Sequence, residues 1–342
     1  MKLLKRLTEA FGTSGQEDEV KNILKEEFKK ICDKVTEDDL GNIVGLKRGS
    51  APNRQRKKIM LAGHMDEIGF TVSHIDENGF IRIVPLGGFD PRNLMAQKVL
   101  VLGKGKNRLP GLLNLSGKPI HLQSPEDRKK ELKVSDFYVD LGLPKKVVEK
   151  MVEIGDRVCW RRDFDEVGEC YSCKAMDDRV GIYVMIEALR KAGRPKHDVY
   201  AVGSVQEEVG LRGATVSGYD IDPDVAIALD VTIAADTPGA GGPDAVSKLG
   251  DGIGIKIMDS ASISDPGLVK EFRALAEKHK IKYQLEVLPR GGTDAGAIQR
   301  ARSGKKVITL SVPTRYVHSV NELAHKDDIT AGINLLAEYL KK

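Results

Sequence analysis

Apolar positions change period several times along this chain, and the changes mark out its elements. Between residues 14 and 31, Val20, Ile23, Leu24, Phe28 and Ile31 recur at the spacing of one helical face. Ser14 and Glu17 stand three apart just before them, a capping-box spacing that predicts where this helix starts. Apolar runs then predict strands at Asn42–Lys47 and at Lys58–Gly63, the second ending at His64. From about Thr71 to Arg162 the pattern becomes short β-type runs broken by Gly and Pro, such as Gly79–Val84, Lys98–Leu102 and Asp156–Trp160. One helix is predicted there, at Leu143–Met151. After Asp163 strands and helices alternate again. Helices are predicted at Val180–Ala192, from Pro266 to about Lys280 with Asp265 as its cap, and at Asp328–Leu340. Strands are predicted at Asp198–Val205, Val225–Leu229 and Lys306–Ser311. The pattern is that of an α/β protein, its central sheet covered by helices on both faces. Residues 1–70 and 163–342 form one discontinuous domain, and 71–162 form a β-rich domain inserted into it.

Composition narrows the class. The chain has 342 residues, 41% of them hydrophobic and 30% charged, enough for a sizeable core and a well-solvated surface. The formal net charge is +4, with Lys and Arg spread rather than clustered, which excludes an obvious nucleic-acid surface. No apolar run reaches the roughly 18 residues of a membrane span. The segment Met1-Lys2-Leu3-Leu4-Lys5-Arg6 turns polar too soon for a secretory signal, so a cytoplasmic protein is expected. Cys170-Tyr-Ser-Cys173 has the spacing of half a zinc ribbon, but no second such pair exists, and free thiols are expected at all four cysteines.

The candidate chemistry sits where predicted strands end. His64 and Asp66 follow the second strand, Glu207 and Glu208 the strand that starts at Asp198, and Asp230 the strand at Val225. His318 lies a few residues beyond the strand at Lys306, and Asp177 opens a helix. Each has a bland reading. His64 is equally a hydrogen-bonded structural histidine, Asp177 a helix cap, and Asp230 a turn residue. Open α/β sheets, however, collect ligands at the carboxyl ends of their strands, where residues far apart in sequence converge. Two histidines and several carboxylates, with no cysteine, form a donor set suited to zinc, cobalt or manganese. Neighbouring Glu207 and Glu208 allow one to bind metal and the other to take a proton from water. Gly291-Gly-Thr-Asp294-Ala-Gly296 reads as a glycine-rich loop before a helix, able to present backbone N–H groups to a substrate.

These motifs resemble one family. Gly63-His64-Met-Asp66-Glu-Ile-Gly69, Met176-Asp177-Asp178-Arg-Val-Gly181, Gln206-Glu207-Glu208-Val-Gly210, Leu229-Asp230, Gly291–Gly296 and Val317-His318-Ser319 are similar, in order, to the tetrahedral (TET) aminopeptidases, which include glutamyl aminopeptidases and proteins labelled cellulase M. The resemblance implies a zinc-peptidase-like catalytic domain and a dimerisation role for the β-rich insert. It implies two divalent metal ions, zinc or cobalt with manganese as a third candidate. His64 and Asp230 would hold one ion, Glu208 and His318 the other, and Asp177 would bridge them. Glu207 would be the general base, and Asp66 would orient His64. A cis peptide is implied at Asp177–Asp178. Short peptides are the implied substrates, and dimers building a tetrahedral dodecamer the implied assembly. A metal-dependent deacylase keeps the same site, while a glycoside hydrolase fits poorly with 5% aromatic residues and a single Trp.

Overall fold

The computed structural model describes residues 1–125, 129–242 and 245–342. It begins with helices α1 (Lys2–Glu9) and α2 (Asp18–Ile31), then strands β1 (Lys34–Glu37), β2 (Ile43–Lys47) and β3 (Lys58–His64). Helix α2 buries Val20, Leu24 and Phe28, as the periodicity predicts. Its start differs from expectation. Ser14 Oγ donates to Asp66 Oδ2 at 2.6 Å instead of capping, and no side chain caps the helix. Helix α1 was not expected, because its one apolar row is too short to show a period. It buries Leu4, Leu7 and Thr8.

Strands β4 (Gly69–Ile75), β5 (Ile81–Leu86), β6 (Gln97–Leu102), β7 (Arg108–Leu115), β8 (Phe137–Asp140) and β9 (Arg157–Trp160) follow, with α3 (Lys145–Met151) before the last. They close into a barrel in the order β4-β5-β8-β7-β6-β9. Alternation drives this closure. In β7 buried and exposed positions alternate from Arg108 to Leu113, and the inward residues Phe70, Val99, Val101, Leu113, Phe137, Val139 and Trp160 share one core.

The chain then returns to the first domain through β10 (Asp165–Val167), β11 (Cys170–Cys173), α4 (Met176–Ala192), β12 (Asp198–Ser204), α5 (Arg212–Ile221), β13 (Val225–Ile233), β14 (Ile253–Met258), α6 (Pro266–His279), β15 (Tyr283–Val287), α7 (Asp294–Gln299), β16 (Lys306–Arg315), β17 (Glu322–His325) and α8 (Lys326–Leu340). Asp265 caps α6 by accepting from the Leu268 N–H. The mixed sheet runs β1-β2-β12-β3-β13-β16-β17-β11-β10, with β14 joined to β16 and β15 to β14. Its centre, β12-β3-β13-β16, is parallel. Strand parity sorts the two faces. Ile59, Leu61, Ile227 and Leu229 pack with α2, α4, α6 and α8. Met60, Ala62, Ala226 and Ala228 pack with α5 and α7. The four cysteines are free. Cys170 and Cys173 stand three apart on one strand, which points them to opposite faces.

Candidate metal centre

The site forms where two central strands part. The ladder between β3 and β13 ends at the pair Ala62 and Ala228. Two residues further along each strand stand His64 and Asp230, on the same face and no longer paired across. Asp230 was expected at the end of its strand. Strand β13 instead continues to Ile233, because β16 goes on pairing with it to Thr314. Asp177 stands at the start of α4 with non-helical backbone, and a cis peptide bond joins it to Asp178. Glu207 and Glu208 lie just beyond β12, and His318 just beyond β16. Gln206 and His318, at φ 55° and 61°, hold left-handed backbone, where non-glycine residues are uncommon.

All seven candidate residues converge. His64 Nε2 lies 3.0 Å from Asp177 Oδ1 and 3.9 Å from Glu207 Oε2. His318 Nε2 lies 3.5 Å from Asp177 Oδ2 and 3.4 Å from Glu208 Oε2. Potential ligand atoms form three groups, each with its members within 4.8 Å of one another: His64, Asp177 and Asp230; Asp177, Glu208 and His318; His64, Glu207 and Glu208. Asp66 is fully buried below them. Its carboxylate accepts from the backbone N–H of Glu207 at 2.9 Å and of Glu208 at 3.2 Å. His64 Nδ1 lies nearer the main-chain carbonyl of Asp66, at 3.0 Å, than its carboxylate, at 3.6 Å.

Other supports were not foreseen. Glu322, on β17, accepts from the N–H of Asp177 at 3.0 Å and of His318 at 2.8 Å, so one buried carboxylate positions both backbones. Asp178 accepts from the N–H of His64 at 3.1 Å. Glu322 carries no sequence signal, since β17 is only four residues long. From the barrel side, a Cβ on Gly87 would lie 3.2 Å from Glu208 Oε2, and one on Gly88 would lie 3.5 Å from His318 Nδ1. The insert therefore reaches the site through a glycine pair.

The electrostatics are those of crowded, dry carboxylates. Burial, with Glu208 and Asp230 nearby, raises Glu207 well above the usual carboxylate range. Burial and Asp177 do the same to Asp230, and raise Glu322 to about 8. Burial alone would lower His64 and His318, but the surrounding carboxylates raise both. Burial works against ionisation of Asp177 too, yet its contacts with His318 and His64 hold it lowered. The cluster is short of positive charge, and its donors are nitrogen and oxygen atoms only. Both features fit divalent cations.

This fold and donor set define a metallopeptidase class of α/β protein. Residues 41–335 match the family model described as M42 glutamyl aminopeptidase. The lysyl aminopeptidase of Pyrococcus furiosus is 36% identical, covering 99% of this chain and 96% of its own. A TET aminopeptidase structure from the marine sediment archaeon Thaumarchaeota archaeon SCGC AB-539-E09 superposes with a TM-score of 0.95 at 36% identity, covering 100% of this chain and 96% of its own. The TET1 peptidase of Pyrococcus horikoshii, described as assembling into a tetrahedron or a large octahedral shell, gives 0.87 at 29% identity, covering 100% and 99%. The chain belongs to the M42 aminopeptidase family. It is a metal-dependent hydrolase that removes N-terminal residues from peptides.

Proposed function

We propose that His64 and Asp230 hold one divalent ion, that Glu208 and His318 hold a second, and that Asp177 spans both. One observation carries this reading: Asp177 belongs to two of the three ligand groups, and its two oxygens face different histidines. Zinc or cobalt suits the donors, with manganese as a third candidate. When bound, such ions polarise a carbonyl and make water more acidic. The chain's own residues do the rest. Glu207 accepts the proton of the attacking water and returns it to the leaving amine. Asp66 holds the Glu207–Glu208 backbone in place from below, and Glu322 holds the Asp177 and His318 backbones. The segment Gly291-Gly292-Thr293 forms one wall of the substrate cavity.

A glycosidase reading finds no support in this cavity. Among the described residues no Phe, Tyr or Trp side chain lines it, and the one Trp, Trp160, is 2% exposed inside the barrel. Chelated protein should lose peptidase activity and regain it with zinc, cobalt or manganese. Free-amine peptides should be cleaved and N-acetylated ones should not. Equal cleavage of both would point to a deacylase instead.

We also propose that the chain assembles with copies of itself through the barrel, as dimers that build a tetrahedral dodecamer. Val84, Met95 and Leu112 support this, since they expose 51%, 48% and 51% of their surface on the insert. Exposed apolar side chains that join into one patch mark contact surfaces.

A further inference from the structure

Strand β12 loses both neighbours just before the proposed base. Its last pair with β2 is Gly203 with Ile43, and its last pair with β3 is Ser204 with His64. Val205, Gln206, Glu207 and Glu208 then leave the sheet, and no strand receives their N–H groups. A main-chain donor shut away from water without a partner costs about 1–3 kcal/mol. Here side chains supply every acceptor. Asn42 Oδ1 accepts from the Val205 N–H at 3.0 Å, and Glu17 Oε1 accepts from the Gln206 N–H at 3.2 Å. Asp66 Oδ1 and Oδ2 take the N–H groups of Glu207 and Glu208.

The three acceptors come from separate parts of the chain. Glu17 stands at the start of α2, Asn42 just before β2, and Asp66 just after β3. All three are buried, and each is held in turn. Asn42 Nδ2 donates to Asp38 Oδ2 at 2.6 Å and to the Gly213 carbonyl at 3.0 Å. Only one orientation of its amide meets those two acceptors and the Val205 N–H together. Glu17 Oε1 also accepts from the Gly15 N–H at 2.7 Å. Between these anchors Gln206 takes φ 55°, a left-handed turn that costs a residue other than glycine roughly 1–2 kcal/mol. Beyond that turn the two acids part. Glu207 Oε2 lies 3.9 Å from His64 Nε2, and Glu208 Oε2 lies 3.4 Å from His318 Nε2. Neither Glu17 nor Asn42 lines the substrate cavity, so both act on the site through the backbone alone.

We infer that Glu17 and Asn42 are positioning residues of the reaction: with Asp66 they fix the backbone of residues 205–208, and so hold Glu207 toward His64 while Glu208 turns to His318. The inference rests on the reading of Glu207 as the base. The test compares the metal-saturated full-length protein with Glu17→Ala, Asn42→Ala and Glu17→Gln, on the aminoacyl p-nitroanilide that the parent cleaves fastest. Each alanine variant should lower kcat by about tenfold or more, with KM within about twofold of the parent, because a small misplacement of a reacting group acts on turnover. Calorimetric titration should still find both metals. Glu17→Gln keeps the acceptor for Gln206 and should recover most of the loss. Amide hydrogen exchange gives a readout that needs no turnover. Residues 205–208 should exchange slowly in the parent, although they lie outside any strand, and faster in the alanine variants. Parental kcat in both alanine variants overturns the inference, as does a loss carried by KM alone, or an equal loss in Glu17→Ala and Glu17→Gln. Should an alanine variant fail to fold, exchange in the parent decides: slow exchange at 205–208 supports the inference, and exchange as fast as in an exposed loop overturns it. A parent that binds both metals and cleaves no aminoacyl substrate is a separate outcome, which brings down the reading of Glu207 as base and this inference with it.

Discussion

Glu207 and Glu208 are neighbours in sequence, yet the fold gives them different company. Glu208 lies against His318 and Asp177, while Glu207 faces His64. Glu207→Gln should therefore abolish turnover, by a factor on the order of 10² or more, while calorimetric titration still finds both metals bound. Loss of a metal in that variant would show that the two roles are exchanged. Glu17 supports a pH prediction. Burial and the neighbouring Asp66 raise it from 4.5 to about 7. Between those values the folded chain keeps a proton that the unfolded chain releases. The folded state binds more protons there, so stability falls as pH rises from about 4.5 to about 7. Glu17→Gln keeps a carbonyl able to accept from the Gly15 and Gln206 N–H groups, and removes the titration. Unfolding midpoints of the two proteins at equal metal loading should converge near pH 4.5 and separate by pH 8, the variant being the more stable. Parallel curves across that range would rule the coupling out.

At the scale of elements, the N-terminal segment is tied to the site from beneath. The Glu67 N–H donates to the Gly12 carbonyl at 2.9 Å. The Glu67 carboxylate takes Lys174 Nζ at 2.6 and 2.8 Å, with Arg179 at 3.6 Å. Those cations also reach the main chain of the N-terminal segment, Lys174 to Ala10 at 3.0 Å and Arg179 to Leu7 at 2.7 Å and Gly12 at 3.0 Å. All three side chains are buried, so Glu67→Ala leaves two cations without their counter-ion. That change should cost about 3–5 kcal/mol, seen as a lowered unfolding midpoint in denaturant. A midpoint within error of the parent would mean that the carbonyls alone satisfy the cations. Helix α1 escaped the sequence reading because eight residues show one apolar row. The capping reading of Ser14 and Glu17 failed because both side chains turn toward the strand ends carrying Asp66 and Gln206.

For the whole molecule, the insertion matters in two ways. The barrel carries the exposed Val84, Met95 and Leu112, and its Gly87-Gly88 turn lies against Glu208 and His318. Assembly through the barrel would therefore couple to the shape of the site. Leu112→Asp places a charge in the proposed contact and should shift the species seen by light scattering toward smaller mass. An unchanged mass distribution would move the interface elsewhere.

Local patterns in the chain determined much of this. Period-two and helical spacings marked the central strands, the long helices and the β-rich insert, because each is a property of neighbouring residues. The residue types at His64, Asp177, Glu207, Glu208, Asp230 and His318 marked a metal-binding chemistry, and family resemblance ordered their roles. Tertiary structure decided what depends on distance. It ended the β3–β13 ladder two residues before His64 and Asp230, continued β13 past the expected end, and brought Glu322 beneath Asp177 and His318. It also neutralised Lys256 with Glu286 and Asp259. Pairs such as Asp177 with Glu322 and Lys256 with Glu286 are far apart in sequence and carry no periodic mark. Only packing the sheet, its helices and the barrel together could bring them within a few ångströms.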